Sequence, residues 1–487
     1  MSAVPPFARV PVFGAALATG LALSMFSAGY GYERDELYFR MLPPAWGYID
    51  QGPLTPLIAR AMRNVLGDQT WTVRIAATLA TMTAVVVIAL IARELGGGRG
   101  AQSLAAWAFA FAGYPMVLGH TLLTATLDMP VWPAVMLFII RAIKRDQPRW
   151  WLASGAVAGV SMYNKLLVAV LLAALVAGVL AVGPRRLLLS PWVWAGAALG
   201  FVVGLPNLIY QVANGFPELS MGRALADHNS ASVHIVMWPF LIIMLGPPLV
   251  PVWIAGLVTL WRDRSLRFVA VAFPVLLVIV FVMGSQFYYP FGLLAVLFAA
   301  GCVPAWRWVS TRLVWRRLLV IGVVVNAIVS SLLALPIVPL GSVSDTPIAS
   351  ISQVAQDSIG WPRYVVQIAT VYRALPDGER AHTVVYASNY GEAGAVDRYG
   401  PDDGLPAVYS GHNQLTDEGR PPDATTTVVF VGGQYDHHAR WFTSCTVKAH
   451  LDNGVGVDNE EQDEPVAVCR GPKEPWPLLW PRLHHLD

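Results

Sequence analysis

Charge is what this chain has least of. Of its 487 residues only 13% are Asp, Glu, Lys or Arg, while 55% are hydrophobic; an average soluble domain carries about 25% charged residues. That shortage excludes an ordinary soluble protein and points to one integral to a membrane. The chain also lacks a basic run or an aromatic-basic module, which excludes nucleic acid as a partner. Its formal charge of +2 identifies no partner, because in membrane chains the distribution of charge matters more than its sum. No internal repeat is visible, and Val431-Gly432-Gly433 lacks the full glycine spacing of a nucleotide fingerprint. Cysteine is scarce, with three in all.

What is present is apolar sequence in long runs. Windows of ~17–25 residues, the length that crosses a hydrocarbon core, fall near 10–29, 71–92, 102–119, 123–141, 150–164, 166–183, 191–210, 235–260, 267–284, 288–305 and 317–338, giving about eleven spans. The first, Val10 to Ala28, is too long for a signal-peptide core and is read as a retained span. Five connections on one side hold 15 basic residues, from Arg93 to Arg317, and the opposite side holds 7: Arg34, Arg40, Arg60, Arg63, Arg74, Lys165 and Arg223. The positive-inside rule then predicts a cytoplasmic N-terminus and an extracytoplasmic region after about Pro339.

Against this apolar background one polar stretch stands out just after the first span, Tyr30-Gly31-Tyr32-Glu33-Arg34-Asp35-Glu36. Desolvated carboxylates cost several kcal/mol each unless paired or functional, which makes such a cluster a candidate site. The plain alternative is a solvated juxtamembrane loop. Downstream, Pro53 and Pro56 suit the first turn of a helix carrying Leu54, Leu57, Ile58 and Met62 at helical spacing, which predicts an amphipathic interfacial helix. Asp128, at the head of the fourth span, would alone be read as a helix N-cap. Lys165, between the fifth and sixth spans, would alone be read as an interface anchor. Topology places both on the same face as Asp35 and Glu36, and that convergence favours a site. The outer loop 211–234, with Glu218, Asp227 and His228, and the pair Tyr288-Tyr289 between the ninth and tenth spans share that face. Tyrosines there are first of all interfacial belt residues; lining a ligand pocket is the second reading. Asp227 and His228 are read as solvated rather than as metal ligands.

After Pro339 the apolar runs shorten to strand length. Trp361 to Leu375 predicts an amphipathic helix, and Thr383–Ala387, Ala407–Ser410 and Thr426–Val431 predict strands, with a helix from Glu392 to Arg398 between the first two. The chain is thus divided into 1–339, a mainly α polytopic bundle, and 340–487, a small extracytoplasmic α/β domain. Loops after the strands, Asn389-Tyr390-Gly391-Glu392 and Ser410-Gly411-His412-Asn413, occupy the strand ends where ligands favour such sheets. Cys302 falls in the tenth span; Cys445 and Cys469 fall in the outer domain, where an oxidising compartment permits a disulfide between them.

The Asp35-Glu36 pair, the stretch Asp50-Gln51-Gly52-Pro53-Leu54, Leu127-Asp128-Met129-Pro130 and the Lys165 turn occur in that order. This order resembles the C-type glycosyltransferases, specifically the bacterial branch similar to protein O-mannosyltransferases and lipid A aminoarabinose transferases. The resemblance covers about residues 10–210. It implies an inverting glycosyltransferase of a bacterial inner membrane, using a polyprenyl-phosphate-linked sugar as donor and a hydroxyl-bearing lipid, glycan or protein as acceptor. It implies no cofactor and no metal. The resemblance gives Asp35 the role of general base or acceptor-orienting carboxylate, Glu36 and Asp128 those of supporting or substrate-positioning acids, and Lys165 that of a cation near the donor phosphate; Arg34, Tyr288 and Tyr289, on the same face, are the other substrate-binding candidates. Two departures are visible. Gly52 stands where the family often has proline, and no β-trefoil-like domain follows, which weakens the case for a protein acceptor. A multi-span transporter or flippase of a lipid-linked sugar is the alternative, but transporters place charges near the midplane and usually show a repeat.

Overall fold

The computed structural model describes residues 4–486. Among the described residues fifteen α-helices precede the C-terminal region: α1 (Arg9–Phe26), α2 (Arg34–Met41), α3 (Leu54–Leu66), α4 (Thr70–Glu94), α5 (Arg99–Ala110), α6 (Gly113–His120), α7 (Thr124–Lys144), α8 (Trp150–Ser161), α9 (Val168–Val182), α10 (Pro191–Ala213), α11 (Pro217–Ile243), α12 (Val250–Arg262), α13 (Arg267–Met283), α14 (Phe291–Ser310) and α15 (Leu313–Ala334). Among the described residues six of these, α1, α4, α7, α10, α14 and α15, are long and apolar enough to cross a bilayer, or up to eight if the bent pairs α5–α6 and α11–α12 each count as one span. α14 is the bundle's central helix, buried at every position from Phe291 to Val303.

The expected eleven spans are therefore not all met, for identifiable reasons. α8 has 12 residues and α9 has 15, about 18 and 22 Å at 1.5 Å per residue, short of a hydrocarbon core of about 30 Å. The window 102–119 contains a 55° bend, and the window 235–260 straddles a 75° bend. At the second, Gly246 takes a positive φ of 102° ahead of Pro247 and Pro248, and proline there cannot continue the preceding helix. The loop expected at 211–234 is instead the polar first half of α11, which opens with proline at its first position. α7 also begins earlier than expected. The Thr126 hydroxyl accepts from the Leu123 N–H at 3.0 Å, so Asp128 lies in the second turn rather than at the cap, and Pro130 and Pro133 are inside the helix.

The C-terminal region forms a five-stranded sheet of order β2-β1-β3-β5-β4, with β1 Thr383–Ala387, β2 Val408–Tyr409, β3 Thr427–Val431, β4 Phe442–His450 and β5 Pro465–Pro472. β2, β1 and β3 run parallel; β5 and β4 add antiparallel strands that the sequence reading missed. Cys445 and Cys469 face each other across the β4–β5 register with Cα atoms 4.0 Å apart and are joined in a disulfide. Cys302 is buried in α14.

The sheet does not stand apart from the bundle. Helices Trp361–Arg373 and Tyr390–Tyr399 pack Trp361, Val365, Ile368, Ala393 and Val396 into one hydrophobic cluster that also holds Leu37, Tyr38 and Phe39 of α2. The approach is close enough that a Cβ on Gly394 would stand 2.7 Å from Leu37 Cβ, so only glycine fits where helix Tyr390–Tyr399 crosses α2. Arg40 crosses the same boundary, bonding Asp68 and Asp397, each at 2.8 Å.

Candidate functional site

The polar stretch after α1 is helical. Tyr30 and Gly31 turn the chain through positive φ values of 62° and 110°, and α2 starts on a reciprocal cap. The Glu33 carboxylate accepts from the Asp35 N–H at 2.8 Å, while Glu36 reaches back to the Glu33 N–H at 3.0 Å. Successive helical residues point about 100° apart, so the two neighbouring acids separate. Asp35 faces a cavity of about 400 Å³. Glu36 is turned inward, 0% exposed, in an ion pair with Arg74 (1% exposed) at 2.9 Å, and it also accepts from the Leu122 N–H at 2.9 Å. Glu36 thus brackets α2 to α4 and to the α6–α7 connection, and it does not reach the cavity.

Four further segments bring polar groups to that cavity. The stretch ahead of α3 supplies Asp50 and Gln51. Gly52 in this stretch explains the departure from the proline-rich pattern: a Cβ there would stand 2.4 Å from the Tyr163 carbonyl oxygen, and Leu54 N–H donates to that same oxygen at 2.8 Å. The turn between α8 and α9 is thereby pressed against the Asp50 stretch, and its Lys165 lines the cavity with Leu166 and Leu167. Asn164 fastens the turn, donating to Asp128 Oδ1 at 3.0 Å and to Thr124 O at 2.8 Å while its Oδ1 accepts from the Thr55 hydroxyl at 2.6 Å. Asp128 serves this anchor and borders a smaller space beneath Lys165 and the tyrosines. Tyr288 and Tyr289, ahead of α14, line both spaces, and the Lys165 ammonium sits 5.5 Å from the Tyr289 ring centroid, within cation–π range. Glu218, at the start of α11, accepts from the Leu166 N–H at 2.9 Å and completes the wall. Asp227 and His228 lie farther along α11 on its exposed side.

The C-terminal sheet closes the cavity. Tyr390, at the start of the helix that follows β1, and Asn413, after β2, both line it. The Tyr390 hydroxyl donates to Asp35 Oδ1 at 2.9 Å. Its ring stacks on Tyr38 at 4.7 Å, and the Tyr38 hydroxyl donates to Asp50 Oδ2 at 2.7 Å. Arg34 turns away from the cavity: its guanidinium lies 4.8 Å from the Tyr390 ring centroid and pairs with Glu460.

Electrostatics sets these groups in opposition. Burial pushes the Asp35 carboxyl up, while the Tyr390 hydroxyl and the positive Arg34 and Lys165 restrain the rise. Asp50 is pushed up to about 7 by burial, with the Tyr38 hydroxyl opposing, and its Oδ1 is buried without a hydrogen-bond partner. Burial works against the charge of Lys165, but Tyr288, Tyr289, Asp128 and Glu218 outweigh it and hold the ammonium firmly protonated. The cavity therefore pairs carboxylates able to take a proton with a fixed positive charge. Val170, Leu219, Met221, Leu225 and Met283 form an apolar part of its wall, beside the polar Thr124, Ser285 and Gln286.

Asp50, Tyr390 and Asn413 were not named singly as site residues, although each lies in a stretch that the sequence marks. Asp50 opens the Asp50-Gln51-Gly52-Pro53-Leu54 stretch that carries part of the family resemblance. Tyr390 and Asn413 stood in strand-end loops whose meeting with α2 no local pattern announces.

Residues 50–210 match the family described as dolichyl-phosphate-mannose-protein mannosyltransferase. The fold is similar to that of ArnT from Cupriavidus metallidurans, solved in the apo state and bound to undecaprenyl phosphate: 14% identity and a TM-score of 0.58 over 93% of this chain and 97% of that one. Mycobacterial arabinofuranosyltransferase AftD gives a TM-score of 0.54 at 14% identity, over 96% of this chain and 40% of that one. The Archaeoglobus fulgidus oligosaccharyltransferase tethered with an acceptor peptide gives 0.52 at 12% identity, over 80% of this chain and 63% of that one. No curated protein matches the chain in sequence. Its fold is thus similar to that of these solved transferases, and among the described residues six helices, or up to eight with the bent pairs, are long and apolar enough to cross a membrane.

Proposed function

We propose that this protein moves a sugar from a polyprenyl-phosphate-linked donor to a hydroxyl-bearing lipid, glycan or protein on the outer face of a bacterial inner membrane, inverting the anomeric centre. The observation that carries this reading is the cavity that holds Asp35 and Lys165 at its polar end and an apolar wall beside them. A lipid-phosphate donor needs both. The acceptor hydroxyl gives its proton to Asp35 as its oxygen attacks the anomeric carbon. The bond from that carbon to the phosphate oxygen breaks with both electrons leaving on the phosphate, where Lys165 stabilises the charge. One displacement inverts the configuration. The proposal assigns no metal or cofactor.

A panel of undecaprenyl-phosphate sugars, including mannose, arabinose and aminoarabinose, offered to membranes containing the full chain tests this. Product on lipid, glycan or protein is expected from at least one donor. Lys165→Met keeps the apolar stem and removes the charge, so it should cut turnover of that donor by about 10²-fold. No product from any donor sinks the proposal, and unchanged turnover in Lys165→Met removes that residue from the chemistry.

The outer-face assignment rests on the asymmetry of 15 basic residues against 7. Asp402 is exposed on the C-terminal region. A cysteine placed there should react with a membrane-impermeant maleimide in intact cells. Protection until lysis would put the cavity on the cytoplasmic side.

A further inference from the structure

We propose that Tyr390 is a positioning residue of the reaction: its hydroxyl holds one oxygen of the Asp35 carboxylate so that the other meets the acceptor hydroxyl, making the C-terminal sheet region part of the reacting centre. This rests on the reading of Asp35 as general base. The bond runs from Tyr390 Oη to Asp35 Oδ1 at 2.9 Å and joins residues 355 apart in the chain.

Everything around Tyr390 fixes where its hydroxyl points. It is the first residue of its helix, and that helix start is locked by a reciprocal cap between Asn389 and Glu392, at 2.9 and 3.1 Å. Its N–H donates to His412 Nδ1 at 3.1 Å. Tyr38 stacks on one side of the ring, and the Arg34 guanidinium approaches to 4.8 Å from the centroid. The stacked tyrosines thus present their hydroxyls to two different acids, Tyr390 to Asp35 and Tyr38 to Asp50. One accepted hydrogen bond leaves Asp35 with a directed lone pair and favours its ionised form, the form a base must have.

Other groups also act on Asp35. Arg34, Glu33 and Glu36 belong to its own helix and cap; Lys165 comes from the α8–α9 turn, and Tyr288 from ahead of α14. Asp50 approaches from ahead of α3, and Asp357 from ahead of helix Trp361–Arg373. All stay in place when only the Tyr390 hydroxyl is removed, so a change in Asp35 titration belongs to that hydroxyl.

The test uses the full chain in lipid nanodiscs, with the undecaprenyl-phosphate sugar that the panel shows to be turned over. Tyr390→Phe keeps the ring and its stack. Losing a hydrogen bond to a charged group should move the acid limb of the turnover profile up by about 1–2 pH units. Turnover then falls about 10–100-fold on the acid side and recovers at high pH, where Asp35 ionises without help. Incorporating 3-fluorotyrosine at 390 strengthens the donor without removing it and should move the same limb down. An infrared band of the protonated carboxyl, identified by its absence in Asp35→Asn, should titrate in step. A loss equal at every pH would show a merely structural role and overturn the proposal, as would an unmoved profile in both variants. Near-normal turnover in Asp35→Asn is a separate failure: it removes the base itself, and the role of Tyr390 with it.

Discussion

Asp35→Asn lowers turnover by about 10²–10⁴-fold with little change in folded yield, the contribution expected of one positioned proton acceptor. Folding survives because the structural bonds of this turn belong to its neighbours: Glu33 caps α2 and Glu36 ties it down, while Asp35 faces the cavity. The amide keeps the shape and still accepts from the Tyr390 hydroxyl, but it cannot take a proton. The check is turnover measured beside a thermal unfolding scan in the same detergent. Near-normal turnover would move the base elsewhere, and Asp50 would be next in line, since it shares the cavity and lies near 7.

Glu36→Gln produces the opposite signature. Removing one partner of a buried ion pair leaves an uncompensated charge and costs about 3–5 kcal/mol. Glu36 and Arg74 are 0% and 1% exposed, and Arg74 also bonds the Ser27 and Gly31 carbonyls at 3.0 and 2.7 Å. The substitution therefore unpins the turn between α1 and α2, and the expected result is a large drop in folded yield and melting temperature. Glu36→Gln combined with Arg74→Met removes both charges and should recover part of the stability. If Glu36→Gln folds normally and has lost only its turnover, Glu36 acts in the chemistry and its bracket role is wrong.

This split between neighbouring acids shows where the sequence stops being legible. The pair Asp35-Glu36, the Lys165 turn and Tyr288-Tyr289 could be picked out because charges and paired tyrosines at span ends are conspicuous in an apolar chain, and the structure gathers Asp35, Lys165 and both tyrosines around one cavity. Which acid faced the cavity depended on the rotation of α2, set by a cap and a salt bridge to Arg74 in another helix. Arg34 looked equally placed, yet it is drawn away by Glu460. Asp128 looked like a cap, but the helix starts earlier because Thr126 closes its first turn. The parallel strands β1 and β3 were legible as fully buried apolar runs, and β2 is a half-buried pair within the run expected at Ala407–Ser410. β4 was not, because this edge strand is largely exposed and its sequence, FTSCTVKAH, carries little apolar signal. Two of the apolar windows are not straight helices, since bends of 55° and 75° break them, and others are shorter than a full span, so that among the described residues six to eight helices meet the length and apolarity of a span.

The bond between Asp35 and Tyr390 also imposes an order on synthesis. At about 5–20 residues per second, the 355 residues between them take roughly 20–70 s to translate. During that interval the ribosome has already delivered Leu37, Tyr38 and Phe39, whose burial partners among Trp361, Val365 and Ala393 do not yet exist. An unfinished chain consequently holds Asp35 without the hydroxyl that donates to it in the folded protein.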